Sequence, residues 1–137
     1  LLVTGPDGSK RVVKHFWFTE WPDHGVPQAA VQPGEIGGPE KIINMLQEVR
    51  RWDASVSTKH GKTPWVVHCS AGVGRTGTII GIDIGMGKLN TKKPPICSVN
   101  VLNIIAGMRS DRGQMVQSAE QGIFLLDTLK KYNTMIN

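Results

Sequence analysis

The run from His68 to Gly77, HCSAGVGRTG, holds the residues whose types and spacing point most directly to chemistry. It follows a short apolar segment, Trp65-Val66-Val67-His68, of the buried-strand kind, and it precedes an apolar helical pattern that reaches about Leu89. Gly72 and Gly74 permit a tight turn in which successive backbone N–H groups face inward. Such a turn is an anion nest at the positive end of a helix. A thiol set there is stabilised as thiolate, so Cys69 is expected to have a depressed pKa and to be nucleophilic at neutral pH. Arg75, six residues on, returns a planar guanidinium that grips two phosphate oxygens at once, a geometry lysine does not offer. An incidental buried cysteine before a helix is the bland alternative. Four fixed types (His68, Cys69, Arg75, Thr76) recur by chance only about once in 10⁵ starts at ordinary residue frequencies.

The rest of the chain must position that segment. Leu1–Thr4, the turn Gly5-Pro6-Asp7-Gly8 and Arg11–Thr19 read as a hairpin. Trp21-Pro22-Asp23-His24-Gly25-Val26-Pro27 is a loop by its prolines and glycine, and there an aspartate after proline is ordinarily turn chemistry. Pro39 and Glu40 suit the first turn of a helix carrying Ile42, Met45, Leu46, Val49 and Trp52, followed by a polar linker through Gly61. Asn100 caps a helix through Met108. Ser118 with Gln121 is a capping box opening a last helix to about Tyr132. The order implies an α/β fold: a central mixed sheet of few strands packed by about four helices, with the phosphate loop between a strand and a helix. Phe16 and Val66 are expected inside it, and Trp17, Trp52 and Trp65 in the core or on a sheet face. Asp83 reads as structural and Cys97 as a packed thiol.

Length and composition agree with one domain over residues 1–137. At 137 residues, 39% hydrophobic and 20% charged, the chain can bury about two-thirds of its unfolded surface. No apolar run reaches the ~18 residues of a membrane span. The excess of 16 Lys and Arg over 11 Asp and Glu gives a net charge of +5. The basic groups lack interleaved aromatics, which argues against nucleic acid as a partner. Two cysteines without metal-ligand spacing suggest a reducing compartment, hence the cytoplasm or the cytosolic part of a membrane protein. A chain opening at Leu1 without a leader reads as cut from something longer.

Three motifs together resemble the classical protein tyrosine phosphatases: HCSAGVGRTG as the signature loop, WPDHGVP (Trp21 to Pro27) as the movable acid loop, and GQMVQSAEQ (Gly113 to Gln121) as the glutamine-bearing loop. The resemblance implies hydrolysis of phosphotyrosine in proteins through a phosphocysteine on Cys69, without cofactor or metal. By it, Arg75 and the amides of Ser70 to Arg75 bind the phosphoryl oxygens, and Asp23 serves as general acid and then base. Thr76 eases departure of the sulfur, His68 fixes the loop and lowers the thiol pKa, Gln121 orients water and Gln117 assists. Trp21 and Pro22 would anchor the loop hinge. Arg109 falls where the family carries a loop-supporting arginine, a solvated helix end being the equal alternative.

The chain also departs from the family. A full domain is about twice as long, and the part expected before Leu1 includes the ring that stacks on phosphotyrosine. Its lack would weaken strict tyrosine specificity and leave sheet edges uncovered. Gly122 stands where tyrosine is common. Gly77, Gly81 and Gly85 fall on one helix face, each costing about 1 kcal/mol against alanine. Either a close backbone approach to the sheet or relaxed selection accounts for them. A catalytically weak phosphotyrosine-binding module, or an inactive fragment, is the alternative reading. Oligomeric state is not written in the sequence.

Overall fold

The computed structural model describes residues 1–22, 25–61, 64–92 and 99–137. Two short strands, β1 (Leu2–Thr4) and β2 (Lys10–Val12), pair antiparallel with Val3 opposite Arg11. Four helices follow: α1 (Gly38–His60), α2 (Gly74–Lys92), α3 (Val101–Asp111) and α4 (Ala119–Ile136). The reading of α1 as ending near Trp52 was short. The polar residues after Asp53 continue the helix, and Gly61, at φ +74°, ends it. Asn100 caps α3 by accepting from the N–H of Asn103 at 3.0 Å. The capping box of Ser118 and Gln121 forms at the start of α4.

The core is helical. Ile42, Ile43 and Leu46 of α1, Ile82, Met86 and Leu89 of α2, and Leu125 and Leu129 of α4 are all but sealed from water. Burial of each contributes about 1.5–3 kcal/mol. α4 lies at the centre, packed against α1, α2 and α3. Asp83 is indeed structural. It accepts from Arg50 Nε at 2.8 Å, while Arg50 Nη2 donates to its backbone carbonyl, joining α1 to α2. Glu40 and Lys131 pair at 2.7 Å and join α1 to α4.

The expected central mixed sheet is not present among the described residues. The only sheet there is the β1–β2 hairpin, whose six residues are all exposed. Trp65–His68 takes part in no strand pairing, and Val66 is 88% exposed. An apolar run becomes a buried strand only where neighbours satisfy its N–H and C=O groups on each side, and neither β1 nor β2 pairs with it. Phe16 is half-buried, while Trp17, Trp52 and Trp65 are exposed rather than in a core. Cys97 lies outside the described residues.

The glycine face of α2 has a packing reason, though its neighbour is not a sheet. A Cβ on Gly81 would stand 2.5 Å from Leu125 Cδ1, one on Gly85 2.4 Å from Leu129 Cδ1, and one on Gly77 2.5 Å from the backbone nitrogen of Val116. The first two let α4 approach α2 closely, and the third admits the turn before α4. Backbone does not yield as a leucine methyl does, so Gly77→Ala should destabilise by about 2 kcal/mol or more. Gly107→Ala, on α3 with nothing within 4 Å of the new methyl, should stabilise by about 0.5–1 kcal/mol. Urea midpoints of the two variants against the parent chain check both signs.

Candidate active site

Cys69 sits in the turn that enters α2, where N–H groups with no acceptor inside the helix and the helix dipole favour negative charge. Its sulfur accepts from the N–H of Gly72 at 3.3 Å, a contact that requires the turn to double back at Gly72, φ +71°. Two effects oppose each other at this thiol. Burial pushes its pKa up, while the Thr76 hydroxyl and the backbone N–H groups of Thr76, Gly72 and Val73 push it down. The donors win, and the thiol is lowered from 9.0 to about 7. The buried Thr76 Oγ1 has no partner of good hydrogen-bond geometry among the described residues, so its effect on the sulfur is that of a nearby, imperfectly aligned donor.

Arg75 is the second residue of α2 and is half-buried. His68 is exposed and places Nδ1 3.4 Å from the backbone oxygen of Cys69, not on the sulfur. Ser70 and Ala71 form the exposed rim of the turn, and Gly74 is buried beneath two glutamines. A Cβ on Gly74 would stand 3.0 Å from Gln121 Nε2 and 3.2 Å from Gln117 Oε1. The turn 113–117 and the first turn of α4 thus bring Gln117 and Gln121 onto the entrance of α2.

The turn 113–117 is held by three contacts to its backbone. The Val73 carbonyl accepts from the N–H of Gly77 at 3.0 Å and from that of Val116 at 3.1 Å. Arg109 Nε donates to the Met115 carbonyl at 2.9 Å, and its Nη2 donates to the Val116 carbonyl at 2.8 Å. Gln114 and Val116 take positive φ, 65° and 60°. For β-branched Val116 this is an uncommon conformation, kept because the clamp overdetermines it.

Trp21 is buried, with its ring edge-on to Phe124 of α4 at 5.6 Å, and its Nε1 donates to the Gly25 carbonyl at 3.1 Å. Gly25, at φ +93°, lies against Glu120 of α4, whose Oε1 would be 3.4 Å from an added Cβ. The segment flanking residues 23–24 is therefore docked on the same end of α4 that supplies Gln121. Pro22 is exposed. Asp23 lies outside the described residues.

Sequence reasoning missed Arg112. Its Nη2 donates to the Ala71 carbonyl at 3.2 Å from the C-terminal cap of α3. The one trace in the sequence is the spacing of Arg109 and Arg112, three apart at a helix end.

Comparison with known proteins fits this arrangement. The family model for protein-tyrosine phosphatase matches residues 2–131. The chain belongs to the protein-tyrosine phosphatase family. It is 41% identical over 123 residues to human tyrosine-protein phosphatase non-receptor type 7, covering 90% of this chain and 30% of that protein. It is 38% identical over 136 residues to human receptor-type tyrosine-protein phosphatase R, covering 99% of this chain and 18% of that one. The chain thus spans less than a third of the length of these relatives. Among the described residues no helix is long and apolar enough to cross a membrane.

The thiol supplies a direct check. In a Cys97→Ser background, alkylation of Cys69 by iodoacetamide should rise with pH to half its plateau near pH 7. In urea the midpoint should return toward ~8.5. Because the folded thiol ionises more readily, the stability it contributes is complete above its unfolded pKa and is lost as pH falls through about 7. Thr76→Val should raise the folded midpoint.

Proposed function

We propose that this chain is a cysteine-dependent phosphatase that hydrolyses phosphotyrosine in proteins and peptides. The observation that carries the reading is the seat of the Cys69 sulfur at the start of α2, where it accepts from the Gly72 N–H at 3.3 Å and where donors from Gly72, Val73 and Thr76 lower its pKa. A thiolate there attacks phosphorus while the inward amides from Ser70 to Arg75 and the Arg75 guanidinium bind the equatorial oxygens. The P–O bond to the tyrosyl oxygen breaks, and Asp23 gives that oxygen its proton, leaving phosphocysteine and neutral tyrosine. Asp23 then takes a proton from water oriented by Gln121, with Gln117 assisting. The water oxygen attacks phosphorus, the S–P bond breaks, and thiolate returns as phosphate leaves. Thr76 stabilises the departing sulfur.

His68 would steady the turn through its Cys69 contact, and Arg109 would support the glutamine loop. Trp21 and Pro22 would form the hinge of the acid loop. The chemistry asks for neither metal nor cofactor. A cytoplasmic setting, or the cytosolic part of a membrane protein, suits a free thiolate.

The exposure of Trp65 and Val66 favours a second reading, a phosphotyrosine-binding module with feeble turnover, because among the described residues no strand pairs with the segment delivering Cys69. Phosphate release from a phosphotyrosine peptide and a matched phosphoserine peptide, followed against pH, separates the two. The phosphatase reading expects release from phosphotyrosine, abolished in Cys69→Ser. It also expects a fall of about a hundredfold in Asp23→Ala, with loss of the decline at high pH that deprotonation of the acid causes. Retained turnover in Cys69→Ser sinks it. Phosphopeptide binding without release from a cooperatively folding sample selects the binding module.

A further inference from the structure

The peptide unit between Ala71 and Gly72 has a partner at each end. A trans peptide is planar, with C=O and N–H pointing to opposite sides, and no peptide bond described here is cis. The Ala71 carbonyl accepts from Arg112 Nη2 at 3.2 Å. The N–H of Gly72, on the other side of the same plane, donates to Cys69 Sγ at 3.3 Å. Arg112 is anchored in turn, since its backbone N–H caps α3 by donating to the Met108 carbonyl at 2.9 Å. Its guanidinium also lies over Gly72, where a Cβ would come 3.4 Å from Nη2.

We propose that Arg112 is a positioning residue for the nucleophile: by holding the Ala71 carbonyl outward, it turns the Gly72 N–H inward onto the Cys69 sulfur. The proposal rests on the reading of Cys69 as the nucleophile. Glycine at residue 72 makes such a hold necessary. A residue without Cβ adopts either sign of φ with little penalty, so the plane has no strong intrinsic reason to stay as found. Rotated by half a turn, it would present the carbonyl oxygen to the sulfur. A lone pair facing a thiolate raises the thiol pKa, where an N–H lowers it. The ionisable groups on the segments around the turn are His68 beside Cys69, Arg75 from α2, and Asp111 and Arg112 from the end of α3. Gln117 from the α3–α4 turn and Gln121 from the first turn of α4 lie against Gly74 uncharged.

The test is the pH profile of Cys69 alkylation by iodoacetamide in the Cys97→Ser chain, with melting curves alongside. Arg112→Ala should raise the midpoint by about one unit, which is about tenfold in thiolate fraction below it. Arg112→Lys separates geometry from charge: it keeps the cation but not the fork, so it should recover only part of the shift. Arg112→Met keeps the stem's packing and should match alanine, and it serves if Arg112→Ala loses its cooperative melt. Full recovery by lysine would overturn the peptide-plane account in favour of simple charge. A depressed parent midpoint unmoved in both Arg112→Ala and Arg112→Met overturns this proposal and leaves the nucleophile reading standing. A parent midpoint in the ordinary thiol range overturns both.

Discussion

The carbonyl of Val73 is the point on which the site depends. It closes the first turn of α2 by accepting from Gly77, and it also accepts from Val116 in the turn before α4. One oxygen with two lone pairs thereby joins the cysteine turn to the glutamine turn. The join is possible only because Gly77 carries no side chain where the Val116 nitrogen must pass. Arg109 draws the opposite side of the same turn toward α3 through two further carbonyls, and Val116 is held in its unusual φ between them. Loosening any one of these contacts would move both glutamines relative to Cys69.

Burial and hydrogen bonding compete at the sulfur, and their order of strength decides what the site does. A half-buried thiol with no donors would have its pKa raised and would be inert at neutral pH. Here the donors from Gly72, Val73 and Thr76 converge because a turn and the first turn of a helix share one centre, and together they outweigh burial. Backbone donors supply most of these contacts. That makes the effect a property of the turn's geometry more than of side-chain chemistry, which is why the residues controlling that geometry matter as much as those touching the sulfur.

What was legible in the sequence was local. Asn100 and the Ser118–Gln121 box act within four residues of themselves, and both caps form as read. The spacing of Gly77, Gly81 and Gly85 announced a close approach but could not name the neighbour, since α4 lies more than thirty residues downstream. The Trp65–His68 run failed for a related reason. Its composition states a preference for burial, while pairing belongs to whichever strands stand beside it, and β1 and β2 pair with each other. The positive φ of Val116 and the reach of Arg112 are consequences of tertiary clamping, with no local signal strong enough to announce them. At the site, the cysteine turn was legible because glycine, thiol and guanidinium are each unusual enough in type to carry meaning. The support beneath it was not, because it is made of backbone carbonyls that every residue possesses.

Gln121 shows how a structural cap sets the polarity of a site. Its Oε1 accepts from the N–H of Gln117 at 2.9 Å and, more distantly, from that of Ser118, which fixes the amide's orientation through its hydrogen-bond partners. Both ends of the amide lie over Gly74, Nε2 3.0 Å and Oε1 3.2 Å from where its Cβ would stand, and with the oxygen so occupied the nitrogen is the end that can donate there. The N–H groups of Gly72, Val73 and Thr76 converge on the sulfur and an amide NH₂ stands beside them, so this end of the site is rich in donors. The same glutamine in an uncapped helix could turn either face to the cup. The capping box removes that freedom, so a device that starts α4 also sets which end of the Gln121 amide can donate toward the neighbouring turn.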